Sequence, residues 1–84
     1  MKIDNLCHIA HNVMIKRNTL LAGNTCIAGS TTIGQNTWIG SSTISNGLVI
    51  GENSYIVIGS VVISNVRDNK KVFGNPARVY DENE

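Results

Sequence analysis

The amino-acid sequence predicts an all-β chain coiled as a parallel β-helix, and three observations carry the prediction. The first is composition. Hydrophobic residues make up 42% of the 84 residues, but aromatics only 5% and charged residues only 15%, against roughly 25% charge in an ordinary soluble domain. Eleven Asn, eight Gly, seven Ser and six Thr stand beside eleven Ile and eight Val. β-Branched residues and turn-formers at that level exclude a helical bundle. The second is a repeat of six. An aliphatic residue falls at Ile3, Ile9, Ile15, Leu21, Ile27, Ile33 and Ile39, then, after a single-residue deletion, at Ile44, Ile50, Ile56 and Val62. The third is that two companion columns keep the same period.

Each hexad is justified by what its three columns need. The aliphatic position predicts a short strand whose side chain faces inward. Two places before it stand Cys7, Val13, Thr19, Thr25, Thr31, Thr37, Ser42, Leu48, Ser54 and Ser60. Most are small, and they also face inward, where space is short near a corner. Three places after it stand Asn12, Asn18, Asn24, Ser30, Asn36, Gly47, Asn53 and Gly59, where Asn and Gly tolerate the left-handed backbone of a tight bend. Three hexads close one triangular coil of eighteen residues, and coils stack as parallel strands about 4.8 Å apart. Eleven hexads give between three and four coils. Residues 1–63 are predicted to form this helix. Residues 64–84 are predicted to form a C-terminal loop, with Arg67 to Lys71 polar, a closing strand, and a frayed end from Asp81 to Glu84.

Several function classes drop out early. No apolar run has the length of a membrane span, and the N-terminus lacks the basic-then-apolar pattern of a signal peptide. A net charge of +1 with no basic cluster argues against nucleic acid as a partner. Two cysteines are too few for a secreted disulfide scaffold, so a reducing, cytoplasmic location is expected.

Two segments are more specific than the repeat. Asp4-Asn5-Leu6-Cys7-His8-Ile9-Ala10-His11-Asn12-Val13 resembles the catalytic coil of lipid A N-acyltransferases and nucleotide-sugar acetyltransferases. Val72-Phe73-Gly74-Asn75-Pro76-Ala77-Arg78-Val79 is similar to the closing turn of many acetyl-CoA-dependent members of the same hexapeptide-repeat acyltransferase family. The resemblance implies a left-handed β-helix, whereas the usual crossover rule gives the other hand. It implies a homotrimer with active sites between subunits. Acetyl-CoA would be the donor substrate, with no tightly bound cofactor, and the acceptor an amine or hydroxyl of a small molecule such as a sugar or nucleotide-sugar. His11 becomes the general base, and the Gly29 amide, eighteen residues on and one coil above, the group that holds the thioester carbonyl. Imidazole suits the first role because its reference pKa is about 6.5. A glycine N–H suits the second because no Cβ blocks approach. Gly29, Asn46, Ser64 and Arg78 are the expected donor-binding residues.

Departures from the family pattern fall close to these positions. Asn12 stands where many nucleotide-sugar enzymes carry an acid, no second histidine lies near Gly47, and Ser64-Asn65 replaces Thr-Lys-Asp. The deletion between Ile39 and Ile44 is expected to alter a corner two coils above that of His11. The chain starts almost inside the catalytic coil, so its lower end is expected to expose Ile3 and strand edges. A non-catalytic, truncated β-helix serving as a structural or interaction module is the alternative reading.

Other side chains offer less chemistry. His8 and His11 lack the third histidine a zinc site in this fold needs, so no metal is expected. Cys7 inward and Cys26 outward are not placed to bridge, and neither has a convincing basic partner. Lys2, Leu20, Trp38 and Tyr55 are expected to stack on one outer face. That stripe is read as a subunit interface or as a platform for coenzyme A. Lys70 and Lys71 join Arg78 as groups able to meet phosphate.

Overall fold

A computed structural model describes residues 2–3 and 5–79; the expected fraying of the last four residues lies outside them. Each aliphatic residue of the hexad series closes a two-residue strand. In order these are β1 (Lys2–Ile3), β2 (His8–Ile9), β3 (Met14–Ile15), β4 (Leu20–Leu21), β5 (Cys26–Ile27) and β6 (Thr32–Ile33). They continue as β7 (Trp38–Ile39), β8 (Thr43–Ile44), β9 (Val49–Ile50), β10 (Tyr55–Ile56) and β11 (Val61–Val62). Two longer strands close the chain, β12 (Lys71–Gly74) and β13 (Ala77–Val79).

The strands stack into three flat faces of a prism about four coils tall. A first face holds β1, β4, β7, β10 and β12, a second β2, β5, β8 and β11, and a third β3, β6 and β9. All pairs are parallel except β12–β13, which turn back on each other with Phe73 opposite Arg78. Every third strand meets the one below it in register, so residue n pairs with n+18, or n+17 across the deletion.

Inside the prism the aliphatic column is the core. Leu21, Ile27, Ile33, Ile39, Ile44, Ile50 and Ile56 are wholly buried, and Val62, Val66 and Val72 nearly so. Burying one such side chain contributes about 1.5–3 kcal/mol. The small column is buried beside it, and its hydroxyls satisfy carbonyls that the corners would otherwise orphan. Thr19 donates to the Gly34 carbonyl at 2.7 Å, Thr31 to Ser45 at 3.0 Å and Thr37 to Gly51 at 2.9 Å. Ser54 and Ser60 do the same higher up. No buried side-chain polar atom among the described residues lacks a partner.

All eight corner residues expected to be left-handed are so: φ is 60° at Asn12, 57° at Asn36 and 69° at Gly47, for example. Leu6 and Asn69 join them at 61°. The shortened corner Gly40–Ser42 contains none of these residues. It lies between the first and second faces, whereas His11 lies between the second and third. The expectation that the deletion alters the corner above His11 is therefore corrected: the missing residue shortens a different edge.

Above β11 the winding continues. Val66 is buried and bridges Ile50 on the third face, completing a fourth coil. Lys71 is not part of a polar loop but opens β12, because the next place on the first face, opposite Tyr55, falls there.

Candidate active site

The edge between the second and third faces collects most of the residues singled out for chemistry. On the second face His8, Cys26, Thr43 and Val61 stand in register. Three residues beyond each, where the chain turns toward the third face, stand His11, Gly29, Asn46 and Ser64. Successive members of this column are thus one strand spacing apart, about 4.8 Å.

Backbone hydrogen bonds fix the column. The Ser30 amide donates to the His11 carbonyl at 2.9 Å, and the Gly47 amide to the Gly29 carbonyl at 2.9 Å. A Cβ at Gly29 would lie 3.2 Å from the His11 carbonyl oxygen, tight but open to small adjustment. Among the described residues the Gly29 N–H has no acceptor. A free N–H thus sits one coil above an exposed histidine, where the corner turns outward. Asn46 and Ser64 are exposed above them, and Ser45 Oγ lies 3.4 Å from the Asn46 carboxamide oxygen.

Arg78 is not on this edge. It lies exposed on β13, at the top of the first face, though β13 also packs against β11 of the second. The structure thus groups His11, Gly29, Asn46 and Ser64 and leaves Arg78 apart from them. Cys26 does have a histidine neighbour: it rests in register on His8. The eighteen-residue spacing that paired His11 with Gly29 applies equally to His8 and Cys26. Both cysteines are free thiols, Cys7 donating inward to the Ala22 carbonyl at 3.2 Å. No group of three or more His, Cys, Asp or Glu among the described residues could hold a metal ion.

The outer stripe of the first face is as expected, with Lys2, Leu20, Trp38 and Tyr55 in register and Lys71 added above. The Trp38 and Tyr55 rings lie 4.5 Å apart, tilted by 33°, at a separation that aromatic pairs favour. Trp38 also leans over Gly40, where a Cβ would lie 3.1 Å from its Cζ3. Each ring therefore has one side engaged by the chain itself.

No family model matches the chain, and no curated protein matches it in sequence. Solved structures do. UDP-N-acetylglucosamine acyltransferase from Campylobacter jejuni superposes with a TM-score of 0.88 at 29% identity, covering 92% of this chain and 31% of that one. A mutant GDP-perosamine N-acetyltransferase from Caulobacter crescentus, solved with CoA and GDP-perosamine, gives 0.92 at 18% identity, over 95% and 39%. The acetyltransferase domain of PglB from Neisseria gonorrhoeae gives 0.90 at 20% identity, over 92% and 38%. The architecture is therefore that of the hexapeptide-repeat acetyltransferases and acyltransferases, with their left-handed β-helix. The chain spans well under half the length of each. No helix among the described residues is long and apolar enough to cross a membrane.

Proposed function

We propose that the chain is the catalytic β-helix of an acyltransferase that moves an acetyl group from acetyl-CoA to an amine or hydroxyl on a sugar or nucleotide-sugar. The observation that carries the reading is the stacking of exposed His11 beneath Gly29, whose N–H is free among the described residues. His11 takes the proton from the acceptor as its nitrogen or oxygen attacks the thioester carbonyl. The Gly29 N–H donates to the oxyanion of the tetrahedral intermediate. Collapse breaks the carbon–sulfur bond, and the departing CoA thiolate recovers the proton from the His11 imidazolium. No covalent enzyme intermediate forms. Asn46 and Ser64 continue the edge upward as the path of the donor, with Arg78 meeting phosphate from the far side of β13.

The structural likeness to enzymes solved with CoA or acting on nucleotide-sugars supports the donor and acceptor classes. The outward Leu20–Trp38–Tyr55 stripe supports a homotrimer in which a neighbour closes the cleft, and the free thiols Cys7 and Cys26 suit a reducing cytoplasm. Calorimetry with acetyl-CoA tests the reading, with an acceptor screen beside it. Binding near one site per chain is expected. His11→Ala should retain that binding while turnover drops by about 10²–10⁴-fold. Absence of heat at millimolar donor would overturn the enzyme and leave a structural solenoid.

A further inference from the structure

On the far side of the third face from His11, a groove of about 280 Å³ runs along the edge where that face meets the first. Gly34 and Gly51, stacked one coil apart and both buried, are among its lining. Neither has a left-handed backbone, so conformation does not require glycine there. Close approach does. A Cβ at Gly34 would lie 2.5 Å from the Glu52 amide nitrogen, and one at Gly51 would collide with the Asp68 carboxylate. Each corner folds in over the glycine below it. On the His11 edge the equivalent places hold Ala28, Ser45 and Ile63.

The groove is polar at both ends and opposite in sign. Lys16, from the first coil, stands at the lower end, and Asp68, from the fourth, at the upper. The Asp68 carboxylate is held by the Glu52 amide at 2.9 Å, and Glu52 adds a second carboxylate. None of the three charges forms an ion pair among the described residues. Three coil spacings, about 14 Å, separate Lys16 from Asp68, and the flexible four-carbon stem of lysine can shorten that span. Between the ends stand the Thr32 hydroxyl, the Val49 side chain and Gln35. The Gln35 oxygen accepts from Arg17 Nε at 3.4 Å, and its NH₂ group has no acceptor among the described residues.

We propose that this groove binds a small ligand with an anionic group at one end and an ammonium at the other, about the size of an amino-sugar phosphate. Lys16 meets the anion, Glu52 and Asp68 meet the ammonium, and Thr32 and Gln35 meet hydroxyls of the frame. The site is separate from the reaction assigned to His11 and stands without it.

The probe is glucosamine 6-phosphate, titrated into the ¹⁵N-labelled chain. Glucose 6-phosphate and glucosamine serve as probes lacking the ammonium and the phosphate respectively. Saturable shifts at the Gly34, Gly51 and Glu52 amides are expected, with binding at least about tenfold weaker, or 1.4 kcal/mol, for either single-charge probe. Lys16→Ala should remove the advantage conferred by phosphate, and Glu52→Gln should weaken that conferred by the ammonium. Lys16 is exposed and Glu52 half-buried, and the amide spectrum reports in the same experiment that the fold is intact. No saturable shift at these amides, equal response to all three sugars, or binding unchanged in Lys16→Ala would overturn the proposal. A His11→Ala control should bind as the parent does, whatever becomes of acyl transfer.

Discussion

The first coil and the third are written in the same code and live in different surroundings. Ile39, Ile44 and Ile50 are wholly buried, whereas Ile3 is 41% exposed and Ile9 and Ile15 only half-buried. The strands have the same length and the same inward residue. What differs is that, among the described residues, each third-coil side chain is covered from above and below, and each first-coil side chain from above alone. In a solenoid, then, burial is a property of position in the stack and not of the residue. The difference bears on the proposed site as well, because His11 sits in the loosely covered coil and Gly29 in the next one up.

The largest expected effect is in the core column. Ile33→Ala, with full coils on both sides, should lose about 4 kcal/mol, whereas Ile3→Ala should lose about 1 kcal/mol or less. Urea unfolding of the two variants measures the contrast. Equal losses would mean that something covers the lower coil in solution, and the comparison would fail. Amide hydrogen exchange sharpens the same point. His8 and Met14 amides, bonded upward to Thr25 and Thr31, should exchange faster than Trp38 and Thr43 amides, because opening a terminal coil disturbs one neighbour and not two.

The repeat made most of this architecture legible. The period placed all eleven two-residue strands, and the corner column anticipated eight left-handed residues, because both depend on nearest-neighbour geometry repeated every six residues. The His11–Gly29 stacking followed from the same eighteen-residue arithmetic. What did not follow has specific causes. The expected place of the deletion above His11 fails because the edge it falls on depends on counting faces, and the shortened corner Gly40–Ser42 lies one edge earlier. Lys71 looked like loop because the spacing from Val62 to Val66 is four and breaks the period. The groove is hard to read in the sequence because its signal is two glycines seventeen residues apart, visible only once the deletion is placed between them.

A smaller effect is expected from the inward hydroxyls. Thr31 is wholly buried and donates to the Ser45 carbonyl at 3.0 Å, on the His11 edge. Thr31→Val keeps the volume and leaves that carbonyl unpaired, which should cost about 1–2 kcal/mol. Ser45 directly precedes Asn46, so the variant should also weaken donor binding if Asn46 belongs to the donor path. Lost stability with unaltered acetyl-CoA affinity would separate the packing role from the binding one and remove Asn46 from that path.

The smallest effect expected is a gain, and it turns on the lower coil again. Leu6 has φ of 61° and is 81% exposed, whereas the same corner one coil higher is Asn24, with φ of 62°. A left-handed leucine costs about 1–2 kcal/mol that asparagine largely avoids, and an exposed side chain returns little by burial. Leu6→Asn should therefore stabilise the chain, but by less than about 1 kcal/mol, since a coil covered on one side is partly open before the rest unfolds. Thermal unfolding of the isolated chain measures it. A loss in place of the gain would show that Leu6 is buried in solution against a partner or a further coil, and the first coil would then be no less covered than the third.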